Sequence, residues 1–458
     1  MAAKFRNRKR WLFRAFFALG LFSLPWRVQT LVWVAPQPEQ FFFNEYTAFW
    51  LYLTEICWLI ALLSLGLDLL LKGALRESFL RPGNWREELK SYLKPEKRGN
   101  HREGKKVFKK WRNWLKWQPE GRAVFCLVLA SLLVLPFAQE PSLAGLHLGR
   151  LLLGLGAAGV LAAGFFPAGL ARRILLVSFG LQALLALAQF GLGGSVGFHF
   201  LGESFFETGT FNVGKIEDLA GTVWVRGMGS LAHANILGGL LVLVFFLGLD
   251  LKRKAGWEWA GLLLLCLGIL VSFSRAAFWA LGFGLVWLMF WAWSRRFRRD
   301  LVLVAFGLGF LIFIFWQPLA ARFQGVVADL AVRYEQVEQA FTLAHENFFG
   351  VGRGSYTAAL GAKFPTLNNF ELQPVHNFFV LKWTEESGLV ALAWLILLGC
   401  LGYRFWRSQN YPGVALVWAV FWLANLDHYF STSFAGQMLL VVALGLCLRP
   451  EERRGARC

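Results

Sequence analysis

The sequence predicts an all-α polytopic membrane protein of about twelve transmembrane helices, and three observations carry that reading. Hydrophobic residues make up 57% of the 458 residues and charged residues only 16%, against roughly 25% charged in soluble domains. Mean hydropathy is +0.49. The apolar residues also gather into runs close to the ~20 residues that cross a hydrocarbon core. A soluble enzyme, a secreted disulfide scaffold and a disordered chain are thereby excluded. Residues 1–458 read as a single integral membrane domain, although length alone would suggest two or three soluble ones.

The spans follow in order from the apolar runs. The first, 11–35, is interrupted by Pro25 and Arg27; no small-residue cleavage site follows it, so it reads as a span and not a signal peptide. The second covers 46–71. Three more lie close together at 123–139, 143–165 and 173–195. Beyond a longer connection come 231–250, 257–274, 276–294 and 301–320, and beyond another 378–404, 412–428 and 433–449. Basic patches fall at every second connection: Lys4 to Arg10, the loop 72–122, Arg172-Arg173, Lys252-Arg253-Lys254, Arg295 to Arg299, Arg404 with Arg407, and Arg453-Arg454. Positive residues collect on the cytoplasmic side, so both termini are expected there. The alternate loops, 36–45, 140–142, 196–230, 275, 321–377 and 429–432, then face outward. Loops 196–230 and 321–377 are longer than a turn requires, a mark of function. Within the second, Leu330 to Phe341 has apolar residues at three-to-four spacing, which predicts an amphipathic helix.

A formal charge of +19 could signal nucleic acid, but its distribution points to lipid. Lys72–Arg122 holds 16 Lys/Arg against 6 Glu, and Trp111, Trp114 and Trp117 alternate with Lys109, Lys110, Arg112 and Lys116. Such a segment suits anionic membrane lipids; no nucleic-acid partner is expected. The six cysteines are scattered without a C-x-x-C pair, so neither a zinc site nor a disulfide framework is indicated.

Ionisable residues at the edge of the hydrocarbon region are costly and are functional candidates. On the outer side four clusters stand out. Arg226-Gly-Met-Gly-Ser-Leu-Ala-His233-Ala-Asn235 precedes the sixth span, with a guanidinium fork suited to phosphate oxygens beside a helix N-terminus that favours anions. Ser272-Phe-Ser274-Arg275 makes a tight turn between spans seven and eight. Gly350-Val-Gly352-Arg353-Gly354 has neither the spacing nor the preceding strand of a dinucleotide site, leaving Arg353, with Arg333 upstream, as an anion contact. Finally Pro374-Val-His376-Asn377 supplies His376, an imidazole whose ordinary pKa suits a general base. Together they suggest an outer-leaflet pocket for a lipid-linked polyanion. Several arginines and no acidic metal-binding motif favour direct charge neutralisation over a bound divalent ion, so no metal and no cofactor are expected.

Four ordered pieces give the chain a family likeness: Arg226…His233-Ala-Asn235, then Ser274-Arg275-Ala-Ala-Phe-Trp279, Asn347-Phe-Phe-Gly350-Val-Gly352-Arg353-Gly354, and His376-Asn377-Phe-Phe…Glu386-Ser-Gly388-Leu389. At these residues the chain resembles the O-antigen ligase/O-antigen polymerase superfamily over roughly 220–400. His-Ala-Asn stands where Pro-Asn is commoner, and Ser387 separates Glu386 from Gly388. The resemblance implies a GT-C-type glycosyltransferase of the bacterial inner membrane, with its site facing the periplasm, where 196–230 and 321–377 would lie. Its partners would be an undecaprenyl pyrophosphate-linked glycan donor and a lipid or glycolipid acceptor such as lipid A-core. By the same likeness His376 would activate the acceptor hydroxyl, while Arg226 and Arg275 would bind the departing pyrophosphate. Arg333, Arg353, His233, Asn235, Ser274, Asn377 and Glu386 are the expected substrate-binding residues. A polymerase that extends a lipid-linked repeat and a protein O-oligosaccharyltransferase are the alternatives within the superfamily. A lipid-linked glycan transporter is the alternative outside it; few midspan charges (Glu55, Asp68) and no inverted repeat speak against it.

Overall fold

The computed structural model describes residues 2–34, 46, 48–79, 118–210, 213–217, 221–250, 255–292, 302, 307, 309, 313–323, 326–368 and 371–448. Most of the basic loop (80–117), the outer connection 35–45, Lys252 to Lys254, Arg295 to Arg299, part of the ninth expected span and Arg453-Arg454 lie outside them.

The described chain is mostly helical. In order it runs α1 (Ala2–Ser23), β1 (Gln29–Val34), β2 (Ala48–Tyr52), α2 (Leu53–Phe79), α3 (Pro119–Val134), α4 (Pro141–Ala163) and α5 (Ala168–Leu192). Next come β3 (Lys215–Glu217), β4 (Val223–Val225), α6 (Ala234–Leu249), α7 (Gly256–Ser272), α8 (Arg275–Ala292), α9 (Trp316–Phe323) and α10 (Val326–Glu346). The chain closes with α11 (Tyr356–Lys363), α12 (Phe378–Glu386), α13 (Gly388–Arg407), α14 (Tyr411–Leu426), α15 (Tyr429–Thr432) and α16 (Phe434–Leu448).

The expectation of twelve full spans is corrected. Among the described residues, four helices are both long and apolar enough to cross a membrane: Pro119–Phe137, Pro141–Ala163, Ala168–Leu192 and Gly388–Arg407. Six more apolar helices are shorter, among them α6, α7, α14 and α16. Three expected spans change shape for local reasons. The first stops at Ser23, just before Pro25, because proline lacks the N–H that a helix interior needs. The chain then continues as β1, which pairs antiparallel with β2 from Gln29↔Tyr52 to Val34↔Ala48, so the second span also starts late. The span expected at 378–404 is broken at Ser387, whose φ of 85° ends α12 and restarts the chain as α13. The amphipathic helix expected around Leu330 to Phe341 is present as α10.

α6 lies at the centre. Leu237 through Leu249 are all buried, as expected for a helix that is apolar all round. Its glycines allow close packing at the site end: a Cβ on Gly239 would sit 1.8 Å from the Tyr429 hydroxyl, and one on Gly238 would sit 2.5 Å from Ser272 Oγ. Ion pairs with buried glutamates join other helices of the bundle. Arg150 on α4 meets Glu55 on α2 at 2.9 Å, Arg173 on α5 meets Glu258 on α7 at 2.6 Å, and Arg404 on α13 meets Glu120 on α3. In an apolar bundle a lone charge would be far costlier than a paired one.

The connection after α5 is held by one carboxylate. Glu203 accepts hydrogen bonds from the backbone N–H groups of Val196, Gly197 and Phe198 at 2.7, 2.9 and 2.6 Å, and from Gln189 Nε2 at 2.9 Å. Burial pushes the Glu203 carboxyl up, but these four bonds outweigh it and hold the group below its ordinary range. A depressed carboxyl adds stability above the ordinary range of a glutamate and loses it as the pH falls through the folded value. Glu203→Gln is expected to lower stability by about 2–4 kcal/mol at neutral pH, because charge-assisted bonds are replaced by weaker ones. Thermal midpoints of purified protein check this: the gap between wild type and variant should narrow towards about pH 4.

Candidate functional site

One cavity of about 790 Å³ gathers residues from distant parts of the chain. Arg226, Arg275, Arg333, Arg353, His233, Asn235 and His376, all expected from sequence, line it. The remaining three do not. Ser274 Oγ caps the start of α8 through Ala277 N–H at 3.4 Å. Asn377 caps α12, its Oδ1 accepting from Phe379 and Val380 N–H at 2.9 and 3.0 Å. Glu386 is buried behind the wall, paired with Lys382 and 4.0 Å from Arg353. Short polar side chains at helix starts compete well for the unpaired N–H groups there, which explains why Ser274 and Asn377 serve the fold.

The site is built around the turn between α7 and α8. α7 ends at Ser272, and Phe273 takes a φ of 45° before Arg275 begins α8. The last carbonyls of a helix lack partners inside it, and here guanidinium groups meet them. Arg226 Nε donates to Ser272 O at 2.8 Å, and Arg322 Nε donates to Phe273 O at 3.2 Å. Arg333 Nη1 donates to the Leu426 carbonyl at the end of α14. Three cationic side chains are thus fixed in position by backbone oxygens.

A polar chain then leads from Arg226 to His376. Arg226 Nη2 donates to Asn235 Oδ1 at 2.6 Å, and Asn235 Nδ2 donates to Asp427 Oδ2 at 3.3 Å. The other carboxylate oxygen, Oδ1, lies 3.4 Å from His376 Nδ1 and accepts from His428 N–H at 2.8 Å. An imidazole whose Nδ1 faces a carboxylate presents Nε2 for proton transfer, and the carboxylate stabilises the imidazolium that forms. His233 begins α6 with Nδ1 accepting from Asn235 N–H at 3.1 Å.

Asp427, His428 and Arg322 were not among the expected residues, and neither were Arg150 and His147 on α4. Asp427-His428 sits where α14 leaves the apolar bundle, so the rule that flagged Arg275 applies to it equally. Arg322 is a cation in the last turn of the short helix α9. His376, Asp427 and His428 each offer a ligand atom, all within 4.8 Å of one another, so this set could also hold a divalent ion.

The Gly350 loop fixes the opposite wall. Val351 and Gly352 N–H donate to the Thr384 and Glu385 carbonyls at 2.9 Å each, and Gly354 N–H donates to Glu385 Oε1 at 2.9 Å. Gly350 has a φ of 83°, and a Cβ there would lie 2.4 Å from Glu385 O. Only glycine fits that approach. Arg353, 6% exposed, is thereby held against α4, where its Nη1 donates to His147 O at 3.3 Å.

No protein-family model matches this chain, and no curated protein matches it either.

Arg226, Arg275, Arg322 and Arg333 line the cavity with Asp427, Glu335 and Glu371, and guanidinium groups gathered in this way suit a multiply charged anion. Inorganic pyrophosphate at about 100 times its Kd is expected to stabilise the protein by about 2.7 kcal/mol. Arg322→Gln should weaken that effect severalfold, as read by the pyrophosphate concentration that gives half the shift in thermal midpoint.

Proposed function

We propose that this chain is an O-antigen ligase-like glycosyltransferase. It takes a glycan from an undecaprenyl pyrophosphate donor and passes it to an acceptor hydroxyl, that of lipid A-core in the ligase reading. The cavity in this reading opens to the periplasmic face of the bacterial inner membrane. The observation that carries the proposal is the convergence of His376 with Arg226 and Arg275, 150 and 101 positions earlier in the chain, on one cavity.

In the proposed reaction His376 Nε2 takes the proton of the acceptor hydroxyl as its oxygen attacks the anomeric carbon. The bond from that carbon to the pyrophosphate oxygen breaks, and its electron pair leaves with undecaprenyl pyrophosphate. Negative charge grows on the leaving group as the bond lengthens. Guanidinium groups already fixed by backbone carbonyls stabilise it without reorganising, the arrangement in which electrostatic catalysis is strongest. Asp427 offsets the positive charge arising on His376, while Asn235 links that carboxylate to Arg226.

His376→Ala is expected to leave folded, membrane-inserted protein whose transfer rate falls about 10²–10⁴-fold. Arg275→Ala should also abolish most transfer. The assay is transfer from a synthetic undecaprenyl pyrophosphate sugar by protein purified in detergent, where a transporter would give no product. Near wild-type turnover in the His376 variant would remove the base from the mechanism.

A base needs its ring nitrogen free, so turnover should survive chelation of divalent ions. Loss of turnover on chelation, restored by Zn²⁺ or Mn²⁺, would reassign His376, Asp427 and His428 as a metal centre. The acceptor is separated by a deletion strain. Loss of polymer from lipopolysaccharide indicates a ligase, shortened lipid-linked polymer a polymerase, and lost glycoprotein staining a protein oligosaccharyltransferase.

A further inference from the structure

The cavity is electrically divided. Its lining away from α4 brings the cations Arg226, Arg275, Arg322 and Arg333 together with His376, Asp427, Glu335 and Glu371. At the α4 side the formal charges balance. Arg150 is paired with Glu55 at 2.9 Å. Lys382 lies 3.7 Å from Glu385 and also contacts Glu386, which is 4.0 Å from Arg353. Two cations and two carboxylates therefore form a closed, buried set behind that wall. A phosphate gains little at such a wall and much at the other.

The balanced wall nevertheless carries more hydrogen-bonding capacity than the fold satisfies. Both ring nitrogens of His147, Nε of Arg353, the Tyr356 hydroxyl and the Thr357 hydroxyl have no hydrogen-bond partner among the described residues. All four side chains belong to residues that line the cavity, and each is at least nine-tenths buried. Buried polar atoms are nearly always paired in a finished fold, so a cluster of orphans calls for an explanation. Beside them the rings of Tyr52 and Phe434 stack 4.0 Å apart and also border the cavity. Unused donors and acceptors with no net charge, next to an aromatic surface, are the chemistry that recognises a pyranose ring.

We propose that the wall formed by His147, Arg353, Tyr356 and Thr357 is a binding subsite for an uncharged sugar, distinct from the anion-binding end of the same cavity. The inference rests on the glycosyltransferase reading only for which substrate the sugar belongs to. An acceptor sugar seated there would bring its hydroxyl towards His376 while the pyrophosphate occupies the arginines. A donor sugar would bind there while still attached to that pyrophosphate.

The test uses the full chain in a zwitterionic detergent without a sugar headgroup. Saturation-transfer NMR reports binding of a panel of neutral methyl glycosides, and thermal shift reports binding of inorganic pyrophosphate. At least one glycoside should bind, and pyrophosphate should not displace it. The double variant Tyr356→Phe/Thr357→Val keeps both side-chain shapes and removes two hydroxyls. It should bind that glycoside about tenfold more weakly with its pyrophosphate shift unchanged. Absence of glycoside binding, displacement by pyrophosphate, or an unaffected double variant would each overturn the subsite. Absence of the pyrophosphate shift alone would instead remove the donor reading of the previous section and leave the subsite standing. In turnover assays a raised KM for the acceptor with the donor KM unchanged assigns the subsite to the acceptor, and the reverse assigns it to the donor.

Discussion

The carboxylate of Asp427 is the point on which the site depends. Its two oxygens face different ways. One turns to His376 and to the backbone of His428, the other to Asn235 and through it to Arg226. Position of the imidazole and position of the nearest guanidinium are therefore not independent. A shift in α14, which ends one residue earlier, would displace both. Tight packing of α6 against Tyr429 and the Ser272 turn holds the two helix ends that this carboxylate bridges.

The fold tolerates several cations at the edge of an apolar bundle by two different devices. Elsewhere in the bundle, Arg150, Arg173 and Arg404 are paired with glutamates and serve to join helices. Near the cavity, Arg226, Arg322 and Arg333 are held by carbonyl oxygens at helix ends. A carbonyl supplies hydrogen bonding without a full negative charge, and it fixes where these side chains point. The distinction separates cations paired with carboxylates from cations oriented by carbonyls at the cavity.

Much of this was legible in the sequence, and what was missed has physical causes. Helical character follows from apolar runs, and the amphipathic α10 follows from spacing within 321–377. Span length was overestimated because hydropathy does not register a proline or a left-handed turn. Pro25 stops α1, and Ser387 divides what reads as one apolar segment. The β1–β2 hairpin is invisible for the same reason, since Leu31 to Val34 is as apolar as a helix would be. Seven expected site residues line the cavity because costly polar residues at a membrane edge need a purpose. Ser274 and Asn377 satisfied the same criterion but spend their hydrogen bonds on helix caps, a use that composition cannot separate from ligand binding. Asp427 and His428 escaped notice because they stand at the last two positions of the expected span 412–428, just before the turn 429–432. Only tertiary packing reveals that they meet His376.

The Gly350 loop and α12 are stitched together by three backbone-directed hydrogen bonds, and His376 directly precedes α12. Between these fixed points, Lys363 to Asn368 and Glu371 are largely exposed, next to a small cluster that includes Leu360, Leu372 and Val375. Such an arrangement separates two mechanical demands. A change of length or composition in the exposed stretch would leave the hydrogen bonds of the clamp in place. His376, tied to that clamp, would stay in register throughout.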